Sequence, residues 1–93
     1  MRIEWTRPAI DDLREAGEYI AHDNPAAASR MASRVVEAVE SLSSQPNIGR
    51  PGRIVNTREL VVTGTPFLVI YRAHQGNLQV LRLLHHARRW PAS

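Results

Sequence analysis

The sequence predicts an α+β domain in the order β-α-α-β-β-β, a helical hairpin packed on one face of a mainly antiparallel sheet. Three observations predict it. Two apolar stripes at helical spacing follow one another, each behind a polar capping residue and a proline. A break punctuated by proline and glycine comes next, and three strand-like runs are gathered after it. With 93 residues, 43% of them hydrophobic and 23% charged, the chain reads as a single domain over residues 1–93 with one core.

Arg2 to Trp5 reads as a strand, with Ile3 and Trp5 alternating against Arg2 and Glu4. Thr6 is placed to cap a helix from Pro8 to His22, because a proline in the first turn lacks only an amide that would be unbonded there. Ile10, Leu13, Gly17 and Ile20 form its apolar stripe with Ala16 beside them. Asp11, Asp12 and Glu15 then fall in its first turns, where the helix dipole favours carboxylates and no catalytic role is needed to explain them.

Asp23-Asn24-Pro25 is a stop followed by a new start. Either Asp23 or Asn24 can cap, and Pro25 can take the first helical position. The second stripe is Met31, Val35, Ala38, Val39 and Leu42, with Arg30, Arg34, Glu37 and Glu40 on other faces. Two antiparallel helices joined by a tight turn follow.

From Ser43 to Asn56 the residues Pro46, Gly49, Pro51 and Gly52 exclude regular structure. What remains after this stretch is too small for its own core, so it reads as an ordered loop carrying Arg50 and Arg53 and not as a domain linker. Glu59 to Val62, Phe67 to Ala73 and Leu78 to Leu84 are the three later strands, the last two joined by a tight turn at Gln75-Gly76. A two-residue turn there sets Leu68 opposite Leu83, Ile70 opposite Leu81, and Arg72 opposite Gln79. That aliphatic face is expected to receive the helices. The other face gathers Phe67, Val69, Tyr71, Val80, Arg82 and Leu84, a mixture suited to an interface.

Composition narrows the chemistry. Without cysteine the chain has no disulfide, thiolate metal site or cysteine nucleophile. No apolar run reaches the roughly 20 residues that span a bilayer, and the first residues lack the apolar segment of a signal peptide. A cytoplasmic protein with no membrane role is expected. No phosphate-binding glycine loop or nucleophile elbow is present. His85 and His86 are adjacent, so on a strand they point to opposite faces and cannot chelate one ion together; His22 and His74 sit at a helix end and a turn. Neither a metal nor a cofactor is expected.

Charge is unevenly spread. All twelve basic residues are arginine. Through Gly49 five arginines face eight acids, whereas from Arg50 onward seven arginines face Glu59 alone. A basic half of this kind predicts a polyanionic partner, either nucleic acid or an acidic protein segment. Its end, with Arg88, Arg89 and Trp90, pairs forked donors with an aromatic ring that can stack on a base, fill a partner's pocket, or fold back to cap the sheet.

The chain also carries an ordered set of motifs. Trp5, Ala9-x-x-Asp12-Leu13, Tyr19-Ile20 and Asn24-Pro25-x-Ala27-Ala28 are followed by Leu42, Pro46 and Ile48-Gly49-Arg50. Arg58-Glu59-Leu60-Val61, Val69-Ile70-Tyr71-Arg72 and Leu81-Arg82-Leu83-Leu84-His85-x-x-Arg88-x-Trp90-Pro91 complete it. The set resembles the RelE/ParE superfamily of toxins from prokaryotic type II toxin–antitoxin modules, most closely the ParE-like branch, over nearly the whole chain.

The resemblance implies the helical hairpin on a sheet already read from the residues. It also implies a hetero-oligomer with a cognate antitoxin, whose flexible acidic C-terminal segment wraps the toxin. RelE-like members cut messenger RNA on the ribosome; ParE-like members inhibit DNA gyrase and are not nucleases. RelE-type cleavage draws on lysines after the helices, and this chain has none. The arginine of the next strand falls at Phe67, and in the tail only Arg88 and Trp90 match. Arginine cannot be deprotonated in a protein, so it is a poor substitute for a proton-transferring lysine.

The expectation is therefore a gyrase-binding toxin that uses Arg82, His85, Arg88, Arg89 and Trp90 on its target. Phe67, Val69, Tyr71, Arg72 and Arg82 are expected to receive the antitoxin. The alternatives are a ribosome-dependent ribonuclease acting through Arg58, Arg82, His85 and Arg88, and a non-toxic relative that only binds antitoxin.

Overall fold

Local capping sets the two helices. In a computed structural model, which describes residues 1–86, Thr6 has an extended backbone and its side chain accepts the Ala9 N–H at 3.3 Å, opening α1 (Arg7–Asp23). The helix thus begins one residue before Pro8. Asp11, Asp12 and Glu15 lie beyond its first turn, where the dipole holds them less strongly than the sequence suggested. Ala9 is fully buried and Leu13, Ala16 and Ile20 pack against the core, whereas Ile10 is 47% exposed. Leu13, Ala16 and Ile20 thus face inward as expected, and Ala9 takes the place expected for Ile10.

Asn24 both closes α1 and opens α2 (Pro25–Ser41). Its N–H donates to the Ile20 carbonyl at 2.9 Å, and its side-chain oxygen accepts the Ala27 N–H at 3.1 Å. Sharing one residue between two caps is what makes the interhelical turn tight. Met31, Val35 and Val39 on α2 are buried, as is Leu42 at its end, in agreement with the predicted stripe.

The sheet contains β1 (Ile3–Trp5), β2 (Arg50–Pro51), β3 (Arg58–Val61), β4 (Phe67–His74) and β5 (Asn77–His85), in the order β1-β5-β4-β3-β2. β1 runs parallel to β5, and every other neighbouring pair is antiparallel. The two residues of β2 correct the reading of the Ser43–Asn56 stretch as wholly irregular, although it is an ordered loop as expected.

The β4–β5 turn is the two-residue type: Gln75 (φ 51°) and Gly76 (φ 79°) both take the left-handed conformation that suits the strand twist. Beside the turn Arg72 pairs with Gln79, as the sequence predicts. Further along, Tyr71 pairs with Val80 but Ile70 pairs with Arg82, so Leu81 is an extra residue in a bulge. Leu68 consequently pairs with Leu84 and not with Leu83.

The faces are also exchanged. Val69, Tyr71, Leu78, Val80 and Leu83 are buried in one cluster with Ala9, Met31, Val35, Val39 and Leu42, and Phe67 packs against it. Leu68, Ile70 and Leu84 form a second cluster with Leu81 on the side away from the helices. Both faces of the hairpin are apolar, so alternation alone could not choose between them. The bulge then puts Val80 and Leu83 on one side despite their odd spacing.

Candidate functional site

The edge of β5 is where the helical layer meets the sheet. β1 covers it as far as Trp5, which pairs with Val80. Beyond that point the first turns of α1 take over the strand's polar groups. Thr6 donates its N–H to the Val80 carbonyl at 3.1 Å and its hydroxyl to the Leu81 carbonyl at 3.0 Å. Asp12 Oδ2 accepts the Leu83 N–H at 3.0 Å. Arg82 closes on the same carboxylate through both of its forks, Nε to Oδ2 at 2.7 Å and Nη2 to Oδ1 at 3.0 Å. These bonds push the Arg82 guanidinium further up from its already high value, outweighing what its partial burial takes away.

Across the outer face, Arg50, Glu59, Ile70 and Arg82 stand in one cross-strand row. Glu59, only 3% exposed, accepts Arg50 Nη2 at 3.0 Å, Arg50 Nε at 3.3 Å and the Arg53 N–H at 3.2 Å. A buried carboxylate is tolerable only when its lone pairs are occupied in this way. Arg50 and Arg82 are thus each neutralised by an acid. Arg72, nearer the hairpin turn, instead donates Nε to the neutral amide oxygen of Gln79 at 2.9 Å. Among the described residues it forms no ion pair, so its charge is uncompensated. Val61, paired with Leu68 and 45% exposed, adds apolar surface to this side.

On the helical side Tyr71 fixes the loop that follows α2. Its hydroxyl donates to the Pro46 carbonyl at 2.8 Å and accepts the Gly49 N–H at 2.9 Å. Burial pushes the Tyr71 phenol up from its ordinary value of 10.0, with the Gly49 hydrogen bond and the Arg58 charge acting the other way. Arg58 Nη1 donates to the Gly49 carbonyl at 2.8 Å and the Asn47 carbonyl at 3.4 Å. Phe67 and His85 meet edge to face, their centroids 5.9 Å apart.

The expected site residues are therefore distributed over three places. Val69 and Tyr71 are buried in the core, which removes them from an antitoxin-receiving face; Tyr71 holds the loop. Phe67 is half-buried on the helical side, whereas Arg72 and Arg82 lie on the outer side, so the structure does not bring the three to one face. Arg58 and His85 do not converge. They pair with Tyr71 and Phe67, four positions apart on β4, about 13 Å at the rise of a strand. Arg82, paired with Ile70, lies on the opposite face from both. Arg88, Arg89 and Trp90 lie outside the described residues.

Sequence reasoning missed Asp12 as an edge partner and Glu59 as the buried anchor of the loop. Only Glu59 had a signal, as the lone acid among seven arginines.

The geometry can be set beside known proteins. A family model for the ParE toxin of the type II toxin–antitoxin system parDE matches residues 3–90. Y4kP of Sinorhizobium fredii, a candidate toxin, is 42% identical over 90 residues, covering 97% of this chain and 93% of that protein. Toxin RelE2 of Caulobacter vibrioides is 37% identical over 87 residues, covering 94% and 97%. Among solved structures, the chromosomal ParDE system from P. aeruginosa superposes with a TM-score of 0.82 at 28% identity, over 91% of this chain and 95% of that one. The RelBE2 toxin–antitoxin complex of Mycobacterium tuberculosis shares the fold, with a TM-score of 0.63 at 24% identity, over 90% and 95%.

A helical hairpin on this sheet, with these relatives, defines a toxin of the ParE/RelE superfamily. The chain belongs to the ParE toxin family of type II toxin–antitoxin systems.

Proposed function

We propose that this toxin acts by binding DNA gyrase, carries no nuclease chemistry, and is held inactive by a cognate antitoxin. The observation that carries the reading is the fate of the ribonuclease set. Arg58 is spent on loop carbonyls, Arg82 on Asp12, and His85 stands about four strand positions from Arg58. General acid–base catalysis needs its groups within hydrogen-bond reach of one reacting centre. With no lysine in the chain, no described residue supplies the missing cationic acid.

The antitoxin's acidic segment is assigned to the outer sheet face, where Arg72 offers a charge that no described acid pairs with, and Leu81 and, further along, Val61 offer apolar surface. An acidic segment that folds on binding suits a face with exposed charge and scattered apolar contacts. Arg82 and His85, with Arg88, Arg89 and Trp90, remain the residues assigned to the target.

Purified toxin should inhibit supercoiling by gyrase and leave a cell-free translation reaction intact. The ribonuclease reading has the name of the Caulobacter relative in its favour. It would replace the present one if primer extension on translated message gave codon-phased cuts that disappear in His85→Ala.

A further inference from the structure

We infer that the groove along the outer flank of α1 is a second docking surface, one that takes a basic segment of a protein partner. Asp12, Glu15, Ala16 and Tyr19 recur at helical spacing along one side of α1 and face Phe67 and His85 at the end of the sheet. Between them lies an open groove of about 570 Å³ with Leu83 in its floor. That is room for two or three side chains and falls in the size range of real ligand clefts.

Ala16, the small residue of this helical side, lines the groove between Asp12 and Tyr19. Tyr19 is 83% exposed, so its ring is open to a partner.

The chemistry of the walls selects the occupant. Among the described residues no arginine lines the groove, and its two carboxylates come from the acidic first half of the chain. Asp12 is engaged by Arg82 and the Leu83 amide. Glu15 acts on Arg82 only at a distance and forms no ion pair among the described residues. An exposed carboxylate beside a tyrosine and a phenylalanine favours a guanidinium or ammonium flanked by an apolar side chain. Charge pairing and the negative faces of the rings act together on such a group. The surface is opposite in sign to the one around Arg72, so the two could be filled at once by different segments. This inference does not depend on which target the toxin acts on.

The test is amide chemical-shift mapping on the ¹⁵N-labelled chain with two probe peptides, acetyl-Arg-Trp-Arg-amide and acetyl-Glu-Trp-Glu-amide. The arginine peptide should shift amides between Asp12 and Tyr19 together with those of Phe67 and His85, and the glutamate peptide should leave them in place. Glu15→Gln and Tyr19→Ala, both at exposed helical positions, should each weaken the arginine peptide about tenfold while circular dichroism shows an unchanged melting temperature. Shifts confined to other surfaces, no response at millimolar peptide, or equal affinity in both folded variants would overturn the inference.

Discussion

Asp12 grips Arg82 across 70 residues of sequence while also accepting the Leu83 amide, so a single side chain of α1 completes the edge of β5. A bare strand edge exposes donors and acceptors that must be satisfied or shielded. Here the bulge at Leu81 lets the strand twist away from β1, and the helix supplies a carboxylate where the next strand would have supplied a carbonyl. The arrangement ties the N-terminal acidic half to the C-terminal basic half.

Asp12→Ala should therefore destabilise the fold more than Arg82→Ala. Removing the carboxylate takes the bidentate ion-pair partner from the guanidinium and leaves the Leu83 N–H without its acceptor, a loss of about 2–4 kcal/mol. Removing the guanidinium leaves Asp12 with one amide and its solvent contact, at about 1–2 kcal/mol. Urea titrations of both single variants and the double variant give the coupling; additive losses would show that the pair is not a unit.

Much of this was legible beforehand, and what was not has a common cause. Caps and stripes are local, so Thr6, Asn24 and the face of α2 follow from residues close in sequence. Which side of the hairpin meets the helices is not local. Val69 and Leu68 are equally apolar, and the choice rests on a bulge that no residue type announces. The expected antitoxin face therefore included core residues. Arg72, read on the helix-receiving side with Ile70, lies with Ile70 on the outer side, and Arg82 joins them there because the bulge at Leu81 pairs it with Ile70. Asp12 was read as an ordinary helix-dipole acid because its true partner lies far along the chain.

Tyr71 is expected to show itself at alkaline pH. Its phenol titrates higher in the folded state than in the unfolded chain, where the value is 10.0, because burial disfavours the phenolate. The native state thus holds its proton more tightly. This contribution is fully present below pH 10 and is lost as pH rises through the folded value. Urea midpoints measured at pH 8 and at pH 11 should fall for the natural chain and fall less for Tyr71→Phe. The variant should begin about 1–3 kcal/mol less stable, since Pro46 and Gly49 lose their partner. An identical alkaline drop in both would sever the link to this residue.

Gly49→Ala tests the same staple sterically. A β-carbon there would stand 2.6 Å from the Tyr71 hydroxyl oxygen and 3.0 Å from the Glu59 carbonyl oxygen, both well inside contact distance. Neither neighbour is free to retreat, because Tyr71 is bonded to Pro46 and Glu59 is fixed in β3. A loss of about 1–3 kcal/mol is expected from overpacking. Hydrogen exchange should localise it, with faster exchange of amides in residues 46–57 and unchanged protection in α1 and α2. Uniform loss across the chain would indicate that the loop and the core unfold as one.

Arg50, Arg72 and Arg82 stand on the outer face, and reversing their charges should separate structure from recognition. Arg50 and Arg82 hold Glu59 and Asp12, so Arg50→Glu and Arg82→Glu place two carboxylates together and lower the melting temperature before any partner is added. Arg72 donates only to Gln79, so a glutamate there breaks no ion pair formed among the described residues. Arg72→Glu should melt within a few degrees of the natural chain and still bind the antitoxin's acidic segment about tenfold or more weakly, with a shallower dependence on salt. Titration calorimetry at two ionic strengths reads both quantities. Undiminished affinity in a folded Arg72→Glu variant would move the antitoxin's acidic segment off this face, since Arg50 and Arg82 are each already paired with an acid.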